Sequence, residues 1–258
     1  MKLTKLFKIA FPIFLLFLTG CATTYNPATG KEETSMYSRE KEIAIGQAMA
    51  KKLEKKYKIS KEKAQYVEWI GRRVAFASDR IALPYSFKIL DRKDLNALAL
   101  PGGPVYVTKA LVDKVNEDEL AVVLGHEIAH ITARHGVKRL QAYKLYTLLT
   151  VALMAKKGTR EAAKFTAQAI NILSLAYSQE DELLADRLGT GYAYKAGFDP
   201  RAALTLLKKL QEEEKKRGSR RGWLSTHPLS SERIAALKEY LKTLPLKTNT
   251  LSPDSSDK

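Results

Sequence analysis

LGHEIAHITARHG, Leu124 to Gly136, carries three of the four histidines in a chain of 258 residues. On an α-helix, His126 and His130 differ by about 40° in azimuth and lie about 6 Å apart along the axis. Both imidazoles therefore point the same way and can converge on one ion. Glu127 is rotated by about 100° from His126. That puts its carboxylate at the edge of the same face, where it can take a proton from a water without binding the ion. Leu120, Val123, Leu124, Ile128 and Ala129 make this helix largely buried. Two histidines and a glutamate on a buried helix need a satisfying partner, and a metal supplies one.

His-Glu-x-x-His on a helix is the arrangement that zinc peptidases use. His135 is the tempting third ligand. It follows His126 by nine residues, about 900° of rotation, and so faces away on a continuous helix. A metzincin would need glycine at 133 and histidine at 136; this chain has Ala133 and Gly136. His135 is expected instead near the helix C-terminus, satisfying a late carbonyl or the dipole. Catalytic zinc takes three protein ligands and leaves a position open, so the third must come from elsewhere. Glu182 and Asp186 are four apart on a second helical stretch and share a face. Glu182 can complete the zinc set, and Asp186 can accept the free N–H of a ligating histidine. Ala185 between them lets the two helices approach closely. One Zn²⁺ per chain is expected.

The surroundings read as mostly helical. Helical spacing runs from about Tyr37 to Tyr57 and from Lys61 to Ser78. Tyr85 to Ile89 alternates as a strand. Asn96 to Leu100 is a second strand, and Pro101-Gly102-Gly103-Pro104 turns the chain into Val105–Thr108. Asn116 with Glu119 makes a capping box ahead of the histidine helix, and Gly136 is a plausible stop. Leu140 to Ala155 is apolar and helical. Core, lid and membrane contact all remain open for it, but it is too short and too broken by threonine to be a membrane span. Helical spacing continues from Thr159 to Ala196, and a last helix covers about Ser231 to Leu244. The class expected is α+β, mostly helical, with a small antiparallel sheet packed on a long zinc-binding helix.

Composition is that of a globular protein, 45% hydrophobic and 28% charged, with a formal net charge of +16. The basic residues are interleaved with acids, with no aromatic-basic run or nucleic-acid signature, so nucleic acid is not an expected partner. At the N-terminus, Lys2, Lys5 and Lys8 precede an apolar stretch, Ile9 to Leu18, too short to span a membrane. Leu18-Thr19-Gly20-Cys21 resembles a bacterial lipobox. The resemblance implies a signal peptide over 1–20 and lipidation of Cys21, the sole cysteine. Ala22 after the cysteine implies, by similarity to lipoprotein sorting rules, the outer membrane. Residues 21–36 then read as a lipidated tether, 37–244 as the catalytic domain, and 245–258 as a disordered tail.

His126-Glu127-x-x-His130, followed by Glu182-x-x-Ala185-Asp186, resembles the gluzincin metallopeptidases of the HtpX, BepA and prenyl-protease type. NALALPGGPVYVTKAL (Asn96 to Leu111) and Thr226-His227-Pro228 with Arg233 are similar to other segments of that family. The layout is most similar to short LoiP-like lipoproteins. The match spans roughly Tyr37 to Leu244, with Gln179 and Leu184 where the family often has arginine and glutamate. The resemblance implies a membrane-anchored zinc endopeptidase acting on polypeptides, misfolded envelope proteins among them. Substrate would lie extended along the strand that begins at Asn96 and Ala97, with Glu127 as general base. It also implies that His227 lies near the metal. There it can donate to an oxyanion, occupy the open zinc position and hold the enzyme shut, or be structural. Arg233 would orient His227 or pair with an acid. The rival class is a non-catalytic zinc-containing chaperone or assembly factor of the envelope.

Overall fold

In a computed structural model of the chain, the structure describes residues 22–153, 176–217 and 222–246. The signal segment, Cys21, the C-terminal tail and the first part of the Thr159–Ala196 stretch lie outside these residues. The described chain runs β1 (Ala22–Asn26), β2 (Lys31–Ser35), α1 (Arg39–Lys56), β3 (Ile59–Ser60), α2 (Ala64–Phe76), β4 (Ser86–Leu90), β5 (Ala97–Ala99), β6 (Pro104–Thr108) and α3 (Lys109–Lys114). The histidine helix α4 (Glu117–Thr132) follows, then α5 (His135–Leu153), α6 (Gln179–Lys195), α7 (Ala202–Arg217), the short turn α8 (Trp223–Thr226) and α9 (Ser231–Thr243). Among the described residues no helix is long and apolar enough to cross a membrane.

The α+β, mostly helical reading holds. The main sheet has the order β3-β4-β6-β5. Its outer pairs are antiparallel, whereas β4 and β6 run parallel. The difference from an all-antiparallel expectation has a simple cause. β5 and β6 form the hairpin turned by Pro101–Pro104, and that hairpin lays β6, not β5, beside β4. β5 is left on the outside of the sheet.

α4 begins at the expected capping box. The Asn116 side chain accepts from Glu119 N at 2.8 Å, and Glu119 Oε2 accepts from Asn116 N at 3.0 Å. From Leu120 to Thr132 every residue is buried. The helix packs against α2, α6, α7 and β5. Its crossing with α6 is backbone against backbone: a Cβ added at Gly189 would lie 2.5 Å from His126 N, and one at Gly125 would run into Gly189 O. Ala185 is buried as expected, but these two glycines set the approach.

α4 does not run on to Gly136. It stops at Thr132, and Arg134 takes a left-handed φ of 59°, uncommon outside glycine. The Arg134 guanidinium holds the turn, donating to Ser35 Oγ and Tyr37 O at 3.0 Å each. The late carbonyls of α4 are capped from other parts of the chain: Arg80 Nη1 donates to Ile131 O at 3.1 Å and Asn26 Nδ2 to Thr132 O at 3.0 Å. Residues 22–35, within the stretch read as a tether, form the β1–β2 hairpin. It is tied to the α4–α5 corner by Asn26 and by a bond between Ser35 Oγ and Gln141 Oε1 of 2.9 Å. Alternation is weak in ATTYNPATGKEETS, and the pairing becomes clear only where the hairpin meets this corner.

Candidate active site

The α4–α6 crossing brings the sequence-distant acids over the histidines. His126, His130, Glu182 and His227 are all buried, and one donor atom from each lies within 4.8 Å of the others. His126 Nε2 is 3.0 Å from His130 Nε2, 3.1 Å from His227 Nδ1 and 3.5 Å from Glu182 Oε2. Glu182 Oε1 is 3.4 Å from His130 Nε2 and 2.9 Å from His227 Nδ1. Donors about 2.0–2.1 Å from one tetrahedral ion stand roughly 3.3–3.4 Å apart. The four side chains are therefore spaced as ligands of a single ion, and three nitrogens with one carboxylate oxygen suit zinc. Glu182 Oε2 supports the same fit. It is 2.7 Å from Arg233 Nη1 but accepts no directed hydrogen bond, because that nitrogen donates to His227 O and Pro228 O at 3.1 and 2.9 Å.

The electrostatics draw positive charge. Burial disfavours protonation of His126, but bonds to Asp186 and Glu182 outweigh it and raise its pKa to about 9. A pocket that attracts a proton so strongly also attracts a metal cation. Burial opposes the charge on Glu182 too, yet the three histidines around it hold its carboxyl far below the ordinary range. His130 is pushed down, first by burial.

Asp186 and Arg233 stand where an orienting pair is needed. Asp186 Oδ1 is 3.0 Å from His126 Nδ1. Arg233 Nε and Nη2 donate to the two Asp186 oxygens at 2.7 Å each. A carboxylate has no proton to give, so His126 carries its hydrogen on Nδ1 and leaves Nε2 free as a donor to the ion. Arg233 is thus paired with the acid, and it also reaches the backbone around His227. Its positioning follows from the Ser230 cap on α9, where the Ser230 hydroxyl accepts from Arg233 N at 3.2 Å.

Glu127 lies outside the donor set but beside it, 3.5 Å from His227 Nε2. Trp223 Nε1 donates to its Oε1 at 2.9 Å, a contact with no signal in the sequence beyond a tryptophan four residues before His227. Tyr177 was missed as well. Its ring stacks on His130, centroids 4.0 Å apart, and its N–H donates to Thr226 O at 3.0 Å. His135 corrects the expectation made for it. It begins α5 and does not cap α4, and its Nδ1 lies 2.9 Å from His130 Nδ1. It is still not among the four donors, although the helix break removes the rotational argument that excluded it.

Asn96 and Ala97 sit at the head of the outer strand. Asn96, Leu98 and Leu100 bond to β6, so Ala97 and Ala99 turn their backbone groups to the outer edge, where the Ala97 N–H donates to Asn96 Oδ1 at 2.9 Å. Leu95 O faces that edge too and accepts from Trp223 N at 2.7 Å.

Two histidine donors on a buried helix with a glutamate beside them, completed by a glutamate from a second helix, are the arrangement of a metallopeptidase. Residues 61–241 match the family model described as Peptidase family M48. The chain belongs to that family. It is 29% identical over 181 residues to the "Beta-barrel assembly-enhancing protease" of Escherichia coli (strain K12), covering 66% of this chain and 37% of that protein. It is 30% identical over 187 residues to "Mitochondrial metalloendopeptidase OMA1" of Schizosaccharomyces pombe, covering 72% of this chain and 55% of that protein. A "Putative beta-barrel assembly-enhancing protease" of Vibrio cholerae is 27% identical over 231 residues, 85% of this chain and 48% of that protein. The chain thus spans between about a third and just over half the length of these relatives.

Proposed function

We propose that this chain is a membrane-anchored zinc endopeptidase that cleaves misfolded or unassembled proteins of the bacterial envelope. The observation that carries the peptidase reading is the convergence of His126, His130 and Glu182 with Glu127 beside them, outside the donor set. Zinc held by these residues would supply Lewis-acid polarisation of a carbonyl and a more acidic water. Glu127 takes the proton of the attacking water and passes it to the leaving amine. Asp186, itself clamped by Arg233, holds His126 in the ligating tautomer. The outward Ala97 carbonyl and the outward backbone groups of Ala99 pair with an extended peptide, a mode that reads main chain more than side chain.

His227 makes this a shut form of the site. Its support is the contact of His227 Nδ1 with both His126 Nε2 and Glu182 Oε1, which makes it a fourth donor where a catalytic zinc would leave a position open. Trp223, on the same segment, occupies Leu95 O at the head of the substrate edge. Substrate therefore has to displace one segment from two places. Four donors also favour a purely structural zinc, the rival reading. Glu127 supports the catalytic reading over it, since a buried carboxylate held beside the donors by Trp223 serves as a base and adds nothing to a structural site.

The envelope location rests on residues 1–21, read as a lipoprotein signal with Cys21 as the lipidated residue; Ala22 supports the outer membrane, with the domain facing the periplasm as part of the same proposal. The names of the Escherichia coli and Vibrio cholerae relatives, assembly-enhancing proteases for β-barrels, support substrates among unassembled outer-membrane proteins. The test is to purify the full chain in detergent, measure bound zinc and compare casein cleavage by wild type and Glu127→Gln. Retained zinc with cleavage lost supports the peptidase; equal cleavage by both rules it out.

A further inference from the structure

His130, unlike His126, has no carboxylate at its second nitrogen. Its Nδ1 faces the Nδ1 of His135 at 2.9 Å, and the far nitrogen of His135, Nε2, lies 3.3 Å from Asp181 Oδ1. Two facing imidazole nitrogens bond only if one carries the hydrogen and the other does not. The ligand role of His130 sets which: an Nε2 that binds the ion needs its lone pair, so His130 carries its hydrogen on Nδ1 and His135 accepts it with the lone pair of its own Nδ1. The hydrogen of His135 is then on Nε2, the nitrogen 3.3 Å from the Asp181 carboxylate. The lone pair on His130 Nε2 stays free, on the nitrogen that faces His126 and Glu182.

We propose that His135 and Asp181 are positioning residues: a carboxylate–imidazole relay that fixes the tautomer and ring orientation of His130 for metal binding. The inference rests on the reading of His130 as a metal ligand. It explains three features that the ligand set alone leaves without a purpose. The first is a buried histidine outside that set. The second is the break in the helix. Only because α4 stops and Arg134 turns left-handed does the His135 ring come back against His130; on a continuous helix the two would stand about 140° apart. The third is the pairing of acids along α6. Asp186 orients His126 directly, and Asp181, five residues earlier, reaches His130 through one intervening ring. A single helix thus supplies one ligand, Glu182, and the orienting carboxylate for both histidines.

The relay is tested with full-length protein in detergent by zinc competition against a chromophoric chelator, for wild type, His135→Leu, His135→Gln and Asp181→Ala. Losing an outer partner of a ligating histidine typically costs about 10–100-fold in metal affinity. His135→Leu is expected to fall in that range. His135→Gln, whose amide can accept from His130 and donate to Asp181, is expected to stay within a few-fold of wild type. Asp181→Ala, at a half-exposed side chain that puts little of the fold at risk, is expected to weaken zinc by several-fold. Cobalt-substituted His135→Leu is expected to show an altered d–d spectrum where His135→Gln does not. Wild-type affinity in His135→Leu overturns the relay, as does a loss in His135→Gln as large as in His135→Leu. Wild-type protein that binds no zinc overturns the metal reading itself, and the relay with it.

Discussion

Gly125 and Gly189 bring the two halves of the site together: their helices cross so closely that a Cβ on Gly189 would sit 2.5 Å from His126 N. Asp186 and Glu182 lie about one and two turns before this crossing on α6, and His126 directly follows it on α4. Gly189→Ala is a direct probe. Helix propensity favours alanine by about 1 kcal/mol, and overpacking typically costs about 1–3 kcal/mol. The clash wins because its partner is backbone and cannot rotate away. Gly189→Ala is expected to lower both the melting temperature and the zinc affinity. A variant at or above wild type in both measurements would show that the crossing is not as tight as described.

His227→Ala removes the fourth of the converging donors, the one proposed to hold the site shut. A hydrogen bond to a charged group contributes about 1.5–3 kcal/mol, so basal cleavage of an unfolded substrate is expected to rise roughly ten- to a hundredfold, with zinc retained. A fall in kcat with zinc unchanged would instead place His227 on the oxyanion.

Arg233→Met strips the counter-charge from Asp186 and Glu182. Breaking a buried ion pair from one side costs about 3–5 kcal/mol, which for a domain of this size corresponds to a fall in melting temperature of about 6–20 °C. Arg233 is entirely enclosed, so solvent does not soften the loss. A change under about 2 °C would contradict the clamp.

Stripping the metal exposes the titration of His126. Its folded pKa, raised to about 9 against an ordinary 6.5, adds stability that is fully present below about pH 6.5 and is lost as the pH climbs through 9. Asp186, held low by His126 and Arg233 against the effect of burial, works at the other end, adding stability above its ordinary range. Chelator-treated protein is therefore expected to melt progressively earlier between pH 6.5 and 9. Zinc-loaded protein is expected to lack this decline, because the ion takes the place of the proton. Parallel profiles for the two forms would sink the assignment.

Cys21→Ser is expected to abolish incorporation of labelled palmitate and to release the protein from the membrane pellet. Unchanged labelling would exclude lipidation at that residue.

Much of the site was legible before any coordinates. The spacing of His126, Glu127 and His130, the four-residue interval between Glu182 and Asp186, and the Asn116 capping box are local, and helical geometry alone translates them into faces and ends. His135 shows where such reasoning stops. Its exclusion as a ligand assumed a continuous helix, yet the helix breaks at Arg134, held by Ser35 and Tyr37 from far earlier in the chain. The same holds for the sheet. Each strand was readable, but the parallel pairing of β4 with β6 depends on which face of a hairpin meets β4.

By itself the sequence determined the chemistry available: which residues can bind a metal, which can act as base, and which helices carry them. Those properties depend on residue type and on periodicity within one element. The tertiary structure alone decided what converges. Trp223 on Glu127, His227 among the donors and Asp181 behind His135 join residues between 46 and 101 positions apart. No local pattern encodes such contacts, because they arise only when buried helices pack and each polar group left inside must find its partner.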